Sequence, residues 1–286
     1  MSDGSLYRYT AFSHNPEGGN PAGVWIGEDL PTPETMQRIA ADVGFSETAF
    51  IAPATGTDRI VRYYSPEAEV SFCGHATIAA GVVLGELEGE GTYQLVTVVG
   101  KVPVEVRAQD GLFEAALTSV EPKYEPAPSE LLSDALDALG WQLGELDASL
   151  PPVRAYAGAW HLVLAVRDEK RLATLDYDFE RLKALMLKDG LTTLQLIWRE
   201  AADVFVSRNP FPVGGVVEDP ATGAAAAALG GYLRNAGIVP VPYTLHIRQG
   251  EAMGRPSRLT VRIPEMGGIV VSGTAVPMER VQEIDC

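Results

Sequence analysis

The chain has 286 residues, 46% of them hydrophobic, enough to bury one large core or two of ordinary domain size, which excludes a disordered chain. Its 22 basic against 38 acidic residues give a net charge of -16, which repels nucleic-acid backbones and anionic membrane surfaces. The two cysteines are Cys73 and the last residue, Cys286, so no disulfide framework is expected and a cytoplasmic location fits.

The opening residues, MSDGSLYRYT, lack a basic region followed by an apolar run, and no uninterrupted apolar stretch approaches the roughly 18 residues of a membrane span. A soluble, unprocessed protein is expected. The first legible helix is capped by Thr32, carries Pro33 in its first turn, faces Met36, Ile39, Ala40 and Val43 inward, and stops at Gly44. In GFSETAFIAP, residues 44–53, a single carboxylate, Glu47, interrupts a neutral run that leads into an apolar strand. SFCGHATIAAGVVLGE, residues 71–86, is a helix of small and aliphatic residues on every side, and a helix apolar all round is a buried one.

Residues 93–120 alternate in three runs separated by Gly100-Lys101 and Gln109-Asp110-Gly111, the chemistry of consecutive antiparallel hairpins. EPKYEPAPSE, residues 121–130, reads as a linker. Beyond it, Ser129 to Leu139 and Asp178 to Leu187 show helical spacing, the latter stopped by Gly190. AWHLVLAVRD, TLQLIWRE, ADVFVSRNP, YTLHIRQG, SRLTVRIP and GIVVSGTAV read as strands. Between them TGAAAAALGGYLR is a second small-residue helix. The two such helices start at Gly74 and Gly223, about half the chain apart, which predicts two similar halves, each a sheet around a central helix.

The ends of those helices carry the candidate chemistry. Unpaired N–H groups and the helix dipole make a helix N-terminus a site for an anion, and Gly74 and Gly223 permit close approach. A small carboxylate is the ligand this implies. His75 lies in the first turn of the first helix, as a neutral hydrogen-bonding imidazole or as a core histidine satisfied by a carbonyl. Asp219, before the second helix in VVEDPATGAAAA, is a substrate-facing acid or only a cap. Glu47 is the candidate acid/base if withdrawn from water, and otherwise a solvated surface group. Cys73 is a nucleophile or a buried inert thiol. No GxxxxGK[ST], strand-led GxGxxG or HExxH is present, and His14, His75, His161 and His246 have no ligand spacing with cysteine. Nucleotide, cofactor and metal sites are therefore not expected.

Five segments in order, GGNPAGV (18–24), GFSETAFI (44–51), RYYSPEAEVSFCGHATIAA (62–80), EDPATGAAAAALGGYL (218–233) and QGEAMGRPSRL (249–259), together resemble the phenazine-biosynthesis PhzF-like family. The resemblance implies an α+β fold of the diaminopimelate epimerase type: two similar domains, each a barrel-like, mostly antiparallel sheet around a central helix, with the active site in a cleft between them. The domains would be 1–122 and 123–273, with a C-terminal strand, 274–286, returning to the first. It also implies a cofactor-independent isomerase that moves a proton within a small cyclic or amino-acid-like carboxylate, as in trans-2,3-dihydro-3-hydroxyanthranilate isomerase, and a homodimer.

By the same likeness Glu47 transfers the proton, His75 and Asp219 stand beside the substrate, and Asn20, Ser46, Gly74, His75, Gly223 and Ala224 bind it. Ala224 departs from the serine usual in the family; its amide remains while a hydroxyl is lost. Epimerases of this fold use two thiols, and here Thr222 stands where the second would be, which disfavours two-thiol racemisation. The alternatives are single-thiol epimerisation by Cys73 and a carboxylate-binding protein without turnover.

Overall fold

The computed structural model describes residues 4–278 and 282–284. The chain divides into two compact units, Met1–Thr118 with Ser272–Cys286, and Ser119–Val271. The chain changes unit after Thr118 and Val271, where the sequence expectation placed the changes after 122 and 273. Of the expected returning strand, residues 279–281 and 285–286 lie outside the described residues.

The first unit contains β1 (Gly4–Ala11), β2 (Asn20–Gly27), α1 (Pro33–Val43), β3 (Glu47–Pro53), β4 (Asp58–Tyr64), β5 (Glu69–Val70), α2 (Gly74–Glu88), β6 (Gly91–Thr97), β7 (Gly100–Gln109) and β8 (Leu112–Thr118). Pairing runs β1–β2 antiparallel, β2–β3 parallel, β3–β4 antiparallel, β4–β6 parallel, then β6–β7 and β7–β8 antiparallel. The strand Val270–Pro277 pairs with both β8 and β1 and closes the ring into an eight-stranded barrel. A closed ring leaves no unpaired edge.

Helix α2 is threaded along this barrel, and every residue from His75 to Gly85 is buried. Its small residues are dictated by the strands packed on it. A Cβ on Gly81 would meet Ala115 and Val104 at 2.8 Å, and one on Gly85 would meet Val106 at 2.6 Å. Helix α1 is a cover instead. Thr32 caps it by accepting from Thr35 N, Gly44 ends it in the left-handed region, and Met36, Ile39, Ala40 and Val43 pack on Leu6, Trp25, Phe50 and Tyr64.

The second unit contains β9 (Lys123–Pro126), α3 (Ser129–Leu139), β10 (Val153–Tyr156), β11 (Trp160–Val166), α4 (Glu169–Ala173), α5 (Phe179–Asp189), β12 (Thr193–Arg199), β13 (Val204–Arg208), β14 (Pro210–Phe211), β15 (Val216–Glu218), α6 (Gly223–Asn235), β16 (Tyr243–Gln249) and β17 (Ser257–Ile263). From β10 onward the pairings are β10–β11 antiparallel, β11–β12 parallel, β12–β13 antiparallel, β13–β16 parallel and β16–β17 antiparallel. Helix α6 packs on β9, β10, β11 and β17 with nearly its whole length buried, while α3 and α5 lay Leu131, Leu136, Leu182 and Met186 over Leu162, Leu164 and Leu196. Both units combine helices with mixed sheet, an α+β composition, and the sheet of the first closes as a barrel.

One turn differs from the sequence expectation. The β6–β7 hairpin pairs Thr97 with Gly100, so its loop is Val98-Val99 and not Gly100-Lys101. The Thr97 hydroxyl accepts from Val99 N and donates to Gly100 O, and this side-chain bracket closes the loop without asparagine or glycine inside it.

Candidate active site

Three side chains of the first unit meet at the N-terminal end of α2. Parallel pairing of β2 with β3 sets Glu47 opposite Ala22 at the start of β3, and Cys73 and His75 flank the first residue of the helix. Glu47 Oε2 lies 3.4 Å from His75 Nε2, and Ser46 Oγ lies 3.3 Å from the same nitrogen. Cys73 Sγ is 3.3 Å from His75 Nδ1 and 3.8 Å from Nε2. The imidazole is buried, with 9% of its side chain accessible, and the carboxylate is half-buried at 20%, so the cluster opens to solvent on its Ser46 and Glu47 side. With Nε2–H donated to Ser46 Oγ, Nδ1 accepts the Cys73 S–H, so both ring nitrogens have partners and the Glu47 carboxylate lies beside the bonded ring edge.

The helix start itself is fixed from below. Thr77 Oγ1 donates to Cys73 O at 2.6 Å, and Tyr63 OH, 2.7 Å away, donates to Thr77 Oγ1. Burial pushes the Tyr63 phenol well above its ordinary range, so it stays a neutral donor. The first intrahelical bond runs from Thr77 N to Cys73 O, and Cys73 makes no side-chain cap, which leaves the first-turn amides without helical partners. Among the described residues, no heavy atom other than those of its chain neighbours and its own helix backbone lies within 4 Å of where a Gly74 Cβ would stand. That start is open to a ligand.

A second cluster forms at the N-terminal end of α6 in the second unit. Thr222 Oγ1 donates to Asp219 Oδ2 at 2.5 Å. Gln249, at the end of β16 and 2% exposed, locks this pair: its Nε2 donates to Asp219 O at 2.7 Å and to Thr222 Oγ1 at 3.0 Å, and its Oε1 accepts from Thr222 N at 3.2 Å. Because Thr222 Oγ1 already accepts from Gln249, its own hydrogen is directed to Asp219. Asp219 N donates to Asn209 O at 3.0 Å. The preceding Glu218 is held by Arg208, whose Nε donates to Glu218 Oε2 at 2.9 Å while its second terminal nitrogen pairs with Oε1. Gly250, at φ +77, allows the chain to turn here; a Cβ would strike Arg255 O and come within 2.7 Å of Pro220 O.

Of the residues expected from sequence, Glu47, Ser46, Gly74 and His75 come together in the first unit, joined by Cys73. Asn20 is buried at the start of β2, two residues before Ala22 and on the same face of that strand. Asp219, Gly223 and Ala224 gather at the start of α6, with Gly223 buried and Ala224 partly so. Sequence reasoning missed Gln249 as a site residue. Its signal was present, since Leu245, Ile247 and Gln249 share the buried face of β16, and an amide at an inward position needs partners. The sequence marks Thr222 as the position of an absent thiol; in the structure its hydroxyl holds Asp219.

The family model of the phenazine biosynthesis-like protein, PhzC-PhzF, matches residues 9–280. An uncharacterized isomerase of Bacillus subtilis strain 168, YfhB, is 30% identical over 98% of each chain. The trans-2,3-dihydro-3-hydroxyanthranilate isomerase of Pseudomonas aeruginosa is 31% identical over 92% of each. A solved PhzF-family protein of Bacillus anthracis superposes with a TM-score of 0.86 at 26% identity, covering all of both chains. The chain belongs to the phenazine biosynthesis-like family. Within that family it is an isomerase. No helix among the described residues is long and apolar enough to cross a membrane.

Proposed function

We propose that the protein moves a proton within a small cyclic or amino-acid-like carboxylate, with Glu47 as the group that removes and returns it. One C–H bond breaks and another forms on the same molecule, so the electron count is unchanged and no redox partner is consumed. The observation that carries the reading is the half-buried Glu47 carboxylate within 3.4 Å of His75 at the open start of α2. A carboxylate there can take a proton, and the imidazole beside it is placed to face negative charge developing on the substrate. First-turn amides at Gly74 and His75 suit a substrate carboxylate. Asp219, Gly223 and Ala224 are proposed to act on the same molecule, as the family resemblance implies. The matching pairing order of β1–β7 and β10–β17 supports two similar domains of the diaminopimelate epimerase type; a homodimer and a cytoplasmic location belong to the same proposal.

The relative named above makes trans-2,3-dihydro-3-hydroxyanthranilate the first compound to try. Incubated with the protein in deuterated water and followed by NMR, it should isomerise with deuterium appearing at a single carbon. An intact compound with no label would remove it as substrate. A second reading rests on the 3.3 Å approach of Cys73 Sγ to His75 Nδ1, which suits a thiol base for epimerisation. Cys73→Ala separates the two: near-parental turnover keeps Glu47 as base, whereas abolished turnover in a folded variant transfers the role to the thiol.

A further inference from the structure

We infer that Glu47, Cys73 and His75 also form a binding site for one borderline-soft divalent cation of the zinc class. The three residues each present a donor atom within 4.8 Å of the others, although position 47 is remote from the other two in sequence. Carboxylate, thiolate and imidazole are the ligand types zinc takes. Around a tetrahedral zinc, such donors stand roughly 3.3 to 3.6 Å apart, given metal–ligand bonds of about 2.0 to 2.3 Å. With His75 Nε2 as the nitrogen ligand, the separations are 3.4 Å to Glu47 Oε2 and 3.8 Å to Cys73 Sγ, and the Glu47 and Cys73 donors lie within 4.8 Å of each other, so side-chain adjustment draws the three into corners of one site.

The fourth corner faces the open side. Ser46 Oγ, 3.3 Å from the same nitrogen, or water can fill it. Binding releases the thiol proton to solvent, as thiolate coordination requires. The ring reorganises modestly, because Nδ1, not Nε2, is nearer the sulfur before the cation enters. A cation held here occupies both the Glu47 carboxylate and the His75 nitrogen beside it. Proton transfer and cation binding then exclude each other; that consequence rests on the proposed function, whereas the binding itself does not.

The test is a titration of the full chain carrying Cys286→Ser, so that Cys73 is its only thiol, with cadmium chloride after chelator treatment. The readout is ultraviolet absorption of cadmium bound to thiolate, with zinc as competitor. One equivalent should bind, zinc should displace it, Cys73→Ser should abolish the band, and Glu47→Gln and His75→Gln should each weaken binding about tenfold or more. Circular dichroism identifies variants that fold. No band in the Cys286→Ser protein, or a band whose affinity is unchanged in folded Glu47→Gln and His75→Gln proteins, overturns the site: the thiol then acts alone or not at all.

Discussion

Each of the two clusters is made by one side chain that fixes another. In the first, the buried imidazole of His75 lies between a buried thiol and a half-buried carboxylate, so its Cys73 side is sheltered from water while its Glu47 side faces the opening. In the second, the buried amide of Gln249 determines where the Thr222 hydrogen points, and thereby which oxygen of Asp219 is held. Replacing Gln249 by leucine keeps the volume near that of the amide but orphans Thr222 N inside the protein. The expected cost is about 1–3 kcal/mol, read from urea denaturation, together with a loss of turnover about tenfold or greater as Asp219 loosens. An unchanged denaturation midpoint would show that the amide holds nothing. Glu47, His75 and Asp219 were legible in sequence because they interrupt apolar runs or begin apolar helices. The direction of each hydrogen bond was not, because it depends on strands that pair across long sequence separations.

At the scale of elements, helix ends were the most legible feature. Thr32, Pro33 and Gly44 mark α1, and Asp178 and Gly190 mark α5, because caps and left-handed turns are local chemistry. Helix α4, five residues long, and β14 and β15, two and three residues long, are too short for periodicity to register. Their anchors are side chains: Arg208 donates from one terminal nitrogen to Leu172 O and Ala173 O, at 3.1 and 3.0 Å, while also holding Glu218.

The β11–β12 pair carries a pH-dependent element. His161 stands opposite Thr193 in the ladder, fully buried, with Nδ1 2.8 Å from Thr193 Oγ1. Burial pushes its pKa down to about 3. Between that value and the ordinary 6.5 the unfolded chain binds a proton that the folded one refuses, so this contribution to stability is intact above about pH 6.5 and falls as pH drops toward 3. The slope approaches about 1.4 kcal/mol per pH unit. Denaturation at pH 7 and pH 5 should show a larger acid loss for the parent chain than for His161→Gln; equal losses would contradict the assignment.

At the scale of the whole chain, the first unit is completed by residues that come last. Beyond Val271 the returning strand pairs with β1 through Ala275, Val276 and Pro277, Phe12 N donates to Thr274 O at 2.7 Å, and Thr274 Oγ1 donates to Phe113 O at 2.7 Å. Gly273 lies directly under the Phe12 ring, where a Cβ would collide with it. Gly273→Val should therefore destabilise the protein by about 1–3 kcal/mol through overpacking, measurable by chemical denaturation, and an unaltered midpoint would mean the closure is looser than described. Sequence pattern indicated strands around two central helices, since helices without a polar face must be enclosed. The ring order of the first unit was beyond its reach, because strand partners hundreds of residues apart leave no local mark.

In the proposed function Glu47 carries the proton. Its most direct measurement is deuterium incorporation from solvent into a turned-over carboxylate, compared between the parent protein and Glu47→Gln, a substitution that preserves shape and removes the titrating oxygen. Incorporation and isomerisation should fall together by a factor of about a thousand or more while the variant stays folded and still binds the ligand. Incorporation at the parental rate in Glu47→Gln would contradict it.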